Sequence, residues 1–244
     1  MSQVVDTESA KEFMKEALSK ISPEELTEIC SQLEIKSQIF QKQLSLKSLS
    51  ASSEEDFLKI LRLIFSTRRK APKILKELNA VKLKQWTVEL LYGNGKIESR
   101  FQMFCDYLEG LESNVRYDLA SELLHFTFPG QYWLWTRWMW DPKPQTGALT
   151  LVTTEDYDLN SASLGETYLK VGEAVAFVHQ VGAAAGFQTI SRSLFGTDVY
   201  LSCVYVVYVY TVLRIRMTQE FNKVIPGLPE FSRRLLGVHK LEGA

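Results

Sequence analysis

Apolar residues recur every three or four positions through most of the chain, the spacing of amphipathic helices. In "SPEELTEICSQL", Ser22 caps, Pro23 takes the first helical position and Glu24 and Glu25 fill the first turn. Leu26, Ile29, Leu33 and Ile35 continue the apolar stripe. "SSEEDFLKILRLIF" repeats this logic, with Ser53 and Asp56 as a capping box and Phe57, Ile60, Leu61 and Ile64 as the inward positions. "APKILKELNAVKLKQWTVELLYGNG" predicts a short helix, a break at Asn79 and a second helix stopping at Gly93. "KIESRFQMFCDYLEG" spaces Ile97, Phe101, Phe104, Cys105 and Leu108 as a helix that stops at Gly110. "NVRYDLASELLHF" is expected to start on a capping Asn114 and to bury Val115, Leu119, Leu123 and Phe126.

The pattern changes in "DPKPQTGALTLVTTEDYDL", where prolines and β-branched residues predict a loop with one short extended segment near 148–154. Ser163 and Glu166 then open a helix whose face is made small by Gly172, Gly182 and the alanines 183–185. Residues 199–213 form a charge-free run of fifteen. Valine and tyrosine favour a strand there by propensity, while the length and lack of alternation favour a buried helix continuing to Pro226. A membrane span needs about 20 apolar residues, so a membrane partner is not expected. Pro229 and Gly237 bound a last short helix. No repeat of 20–50 residues recurs. These elements predict a mainly α, irregular multi-helix globular fold of about nine helices. The serine-rich "QKQLSLKSLSASS" is the best linker candidate. It would divide an N-terminal helical segment, 1–45, from a main helical domain, 53–244, unless the two form one continuous domain.

Hydrophobic residues at 45% and charged residues at 23% are the balance of an ordinary globular protein, and a net charge of -1 gives no global pull toward polyanions. Cys30, Cys105 and Cys203 contain no CxxC pair and read as buried free thiols rather than a zinc site or disulfides. The opening "MSQVVDTESAKEF" is acidic and lacks the apolar core of a secretion signal, so a cytoplasmic location is expected.

The candidate chemistry lies in three places. The first is "FPGQYWLWTRWMWDP", which holds four of the five tryptophans. Trp133, Trp135, Trp138 and Trp140 with Arg137 read either as a turn that plugs the core or as a recognition surface for a protein partner, because Trp and Arg dominate binding hot spots. The spacing argues that not all four rings can point inward. The second is the basic stretch Arg68, Arg69, Lys70, Lys73, Lys76, Lys82 and Lys84, opposed by Glu77 alone and followed by Trp86, a pattern suited to nucleic-acid phosphates or to a merely solvated face. The third is His125 with Glu122 one turn earlier, a pair able to orient an acid–base imidazole or to sit satisfied in the core. His179 reads as a core residue. Glu155, Asp156 and Asp158 resemble half a calcium loop but lack its glycine and closing glutamate. No phosphate-loop, dinucleotide, metalloprotease or serine-hydrolase motif occurs, so no catalytic residue, metal or cofactor is assigned.

Residues 107–140 resemble the helix-hairpin-helix DNA glycosylase fold: a helix, the turn "LEGLES", then "LASELLHF" and an extended stretch. The resemblance implies a DNA-binding hairpin with Gly110 as its first glycine. Glu112 replaces the second glycine, and Trp135 stands where the catalytic aspartate would be, so no catalytic residue carries over. The first reading is therefore a non-enzymatic binding protein with a protein partner at the Trp-rich segment. The alternative is a nucleic-acid-binding module on a degenerate helix-hairpin-helix-like core. A third is an enzyme with a site around His125.

Overall fold

Local capping chemistry starts and stops the helices largely where the sequence places the signals. The computed structural model describes residues 4–185, 190, 192–216, 226–239 and 241. Among the described residues the fold is mainly α, with eleven α-helices rather than about nine. In chain order they are α1 (Thr7–Leu18), α2 (Pro23–Gln43), α3 (Leu46–Ala51), α4 (Glu54–Leu63), α5 (Ala71–Leu78) and α6 (Ala80–Tyr92). There follow α7 (Ile97–Tyr107), α8 (Ser113–Thr127), α9 (Leu164–Ala185), α10 (Gly196–Arg216) and α11 (Leu228–Leu235).

Ser22 and Glu25 exchange backbone bonds at the head of α2, and Ser53 and Asp56 close a capping box on α4. Asn79 sits at φ 63°, ends α5 and begins α6, and its side chain accepts from the Val81 N–H at 3.0 Å. Gly237, at φ 74°, follows α11 in the left-handed conformation that favours glycine.

Four local expectations need correction. The serine-rich stretch is not an open linker: α2 runs to Gln43, Ser45 caps α3, and Leu44 and Leu49 are buried. α8 begins at Ser113 with Glu112 ahead of it, so Asn114 is inside the helix and does not cap. The segment near 148–154 holds a 3-10 turn at Leu149–Leu151 and one isolated antiparallel bridge, Val5 to Thr153. His179 is exposed and bonds to Thr197 Oγ1 at 2.9 Å. The charge-free run is helical throughout, inside α10, and residues 199–204 apart from Ser202 are apolar and buried with it. Its expected continuation over 217–225 lies outside the described residues. Among the described residues no helix is long and apolar enough to cross a membrane.

The chain forms two compact units, each built from separated pieces. One gathers residues 1–33, 138–158 and 174–239. In it α1 packs on α10, where the Tyr200 hydroxyl donates to the Ala10 carbonyl at 3.0 Å, and α11 packs on α10. Arg233 pairs with Glu28 at 2.9 Å. The other gathers residues 34–137, 159–173 and 240–244. There α6, α7 and α8 pack on one another, with α4 and α5 alongside α6.

Candidate functional site

One face of α8 is polar where a core stripe would be apolar. Asp118, Ser121, Glu122 and His125 follow the i, i+3, i+4, i+7 spacing and all are buried. Three of them bond the segment 132–137, which runs back along the helix. The Arg137 N–H donates to Asp118 at 2.8 Å, the Trp135 N–H donates to Ser121 Oγ at 2.6 Å, and His125 Nδ1 meets the Tyr132 carbonyl at 2.8 Å. Nδ1 must carry the proton there, since a carbonyl only accepts. A largely buried segment without regular secondary structure must find partners for its backbone groups, and α8 supplies three of them from side chains.

The fourth member, Glu122, faces the opposite chemistry. Its carboxylate lies 2.7 Å from the Lys36 ammonium of α2, and both side chains are almost wholly enclosed, at 3% and 0% exposure. The same ammonium lies 4.0 Å from the Phe126 ring centroid. Burial raises the Glu122 carboxyl above its usual range, and the Lys36 charge pulls it back. Glu122 thus meets the Lys36 ammonium, with the His125 charge also lowering its carboxyl, while His125 Nδ1 meets the Tyr132 carbonyl.

Burial also raises the Asp118 carboxyl well above its ordinary 3.8, with the nearby Glu122 charge adding to the effect and the Arg137 N–H and charge opposing it. With the folded value raised, the native state keeps a proton that the unfolded chain releases as pH climbs above about 4. Stability from this residue thus falls with rising pH over that window. Asp118→Asn keeps an acceptor for Arg137 and removes the titration. The expected result is a variant whose melting temperature, relative to the wild type, climbs from pH 4 to pH 7. An offset that stays constant with pH would show that Asp118 does not titrate in the fold.

The tryptophans divide between the two units. Trp133 and Trp135 belong to the unit of α8, and Trp138 and Trp140 to the unit of α1 and α10. Trp135 is fully buried, stacked on Tyr117 with centroids 4.2 Å apart. Trp138 and Trp140 are buried as well, Trp138 lying 6.4 Å from Tyr205. No ring is fully exposed: Trp133 is half-buried, its carbonyl accepting from Tyr168 at 3.0 Å, and Arg137 is half-buried above the Phe65 ring. The expected outward ring is thus at most Trp133. Three of the four rings, Trp135, Trp138 and Trp140, are buried.

No family model, curated protein or solved structure matches this chain. The site has to be read from its own chemistry.

The basic stretch contrasts with the buried tryptophans. Between Phe57 and Val88 the chain carries nine Lys or Arg and a single acid, Glu77. Arg69, Lys70, Lys73, Lys76 and Lys82 are exposed, and so are Lys59 and Arg62 of α4, which the sequence reading missed. Their signal was available: they occupy the outward positions of α4, between the inward Phe57, Ile60, Leu61 and Leu63. Ala71, Ile74 and Leu75 anchor α5, leaving Lys73 and Lys76 on its outer face. Lys59, Lys70 and Lys73 have acidic partners at 3.6, 3.1 and 3.6 Å, all exposed pairs of small worth. The partner of Lys70 is Glu112, in the turn between α7 and α8. Arg62, Arg69, Lys76 and Lys82 form no ion pair among the described residues. Arg68 and Lys84 are half-buried, and Lys84 donates to the Ser52 carbonyl at 2.5 Å, a structural bond.

Glu155, Asp156 and Asp158 are exposed. Among the described residues no group of three or more His, Cys, Asp or Glu is placed to hold a metal ion. The three cysteines are free and buried, and burial pushes the Cys203 thiol up to about 12.

Proposed function

We propose that this protein is a binding module whose α4–α6 region engages the phosphate backbone of a nucleic acid. One observation carries the reading: seven of the eight cations from Lys59 to Lys82, all but the half-buried Arg68, stay at the surface while most of the aromatic segment is taken into the interior. Uncompensated exposed cations release condensed counterions on meeting phosphates, which gives affinity without sequence preference. The helix-hairpin-helix resemblance adds only that Glu112 of that turn is matched by Lys70. A protein partner at the Trp-rich segment is left with the half-buried Trp133 and Arg137 as its contacts.

The test is fluorescence anisotropy with a labelled duplex between 50 and 200 mM salt. Binding should weaken with salt, and neutralising Arg69, Lys73, Lys76 and Lys82 to Gln should flatten the log–log slope by about 3–4, at about 0.9 per lost phosphate contact. The four side chains are exposed, so the variant should melt with the wild type. Affinity and slope that survive this substitution would remove the basic face from the argument.

A further inference from the structure

The fifth tryptophan lies apart from the other four, on the basic helix. Trp86 of α6 stacks on Tyr107 of α7 with centroids 4.9 Å apart and planes 17° from parallel. Trp86 is half-buried, Tyr107 is 37% exposed, and Met103, one turn before Tyr107, is 40% exposed. Lys82 lies one turn before Trp86 and so shares its side of α6. An aromatic pair that keeps solvent access costs apolar exposure, and here it adjoins a run of cations.

We propose that this pair is a stacking platform for an unpaired base, and that the preferred ligand of the basic face is single-stranded nucleic acid. The inference rests on the proposed phosphate binding and deepens it. Every base offers a π-face, so a ring platform next to a cationic track holds single strands with little sequence preference. A duplex buries those faces and can use only the cations. Charge fixes the polarity of the arrangement. Glu89 lies beside the Tyr107 hydroxyl and Asp106 precedes it, so phosphates are repelled on that side. Lys82, one turn from Trp86 on the same helix, offers them the opposite charge, and an uncharged base is what the rings take.

The experiment uses the full chain with a labelled oligo(dT) single strand, a duplex of equal length, and heparin as a polyanion without bases. Trp86→Ala should weaken single-strand binding by about 5- to 150-fold, the range of one lost base stack, and leave duplex binding unchanged. Trp86→Phe should retain most of the single-strand affinity. If Trp86→Ala also lowers the melting temperature, Tyr107→Leu and Trp86→Phe decide between lost packing and lost stacking. Equal losses for single strand and duplex, or heparin binding as tight as the single strand, overturn the platform while the basic-face reading stands. Loss of neither ligand on neutralising the cations overturns the basic face itself.

Discussion

Replacing Trp135 by alanine is expected to lower stability by about 3–5 kcal/mol, the range for emptying a large aromatic site in a core. The ring is fully enclosed and lies between Tyr117, almost parallel at 2°, and Phe101, 5.9 Å away. Phe101 in turn stacks on Tyr168 at 4.3 Å, so four rings from three helices and the segment 132–137 form one column. Removing an inner member leaves faces that a neighbour of fixed position cannot refill. For a domain stable by about 5–15 kcal/mol, this is a large fraction. Urea denaturation checks it, with Trp133→Ala as the comparison, expected near 1 kcal/mol because that ring is half-buried. Equal effects for the two would mean that the column is not what holds the segment.

Glu122→Ala is the second large effect, again about 3–5 kcal/mol, for a different reason. The Lys36 ammonium would remain inside the fold, at 0% exposure, without the carboxylate 2.7 Å away. The cost is that of an uncompensated buried charge, and it does not measure the worth of the pair. The double variant Lys36→Met with Glu122→Leu removes both charges and keeps most of the volume. It should recover to near the wild type, since a buried pair often only balances its own desolvation. A double variant as unstable as Glu122→Ala would show that packing around Phe40 and Phe126, and not charge, dominates this site.

Features written in adjacent residues were legible in the sequence. Ser22 with Glu25, Ser53 with Asp56, Asn79 and Gly237 act within four residues of themselves, and each works as its local chemistry requires. Asn114 failed because its neighbour Ser113 could equally open the helix and neither side chain caps it. The serine-rich stretch misled because two leucines, Leu44 and Leu49, suffice to anchor a six-residue helix once its neighbours bury them. The Trp-rich segment was unreadable for a non-local reason. Its backbone is satisfied by Asp118, nineteen residues before Arg137, and by Ser121, fourteen before Trp135. The trace in the sequence was the polar i, i+3, i+4, i+7 set on α8, of which the pairing of His125 with Glu122 took in only two members. The basic face was legible because exposure demands nothing of distant residues.

The packing of α1 on α10 has a consequence for synthesis. The hydroxyl that meets Ala10 belongs to a residue 190 positions later. At about 5–20 residues per second, a ribosome would take about 10–40 s to deliver it. For that interval α1 lacks the helix it packs on, so this part of the core closes only once α10 has been made.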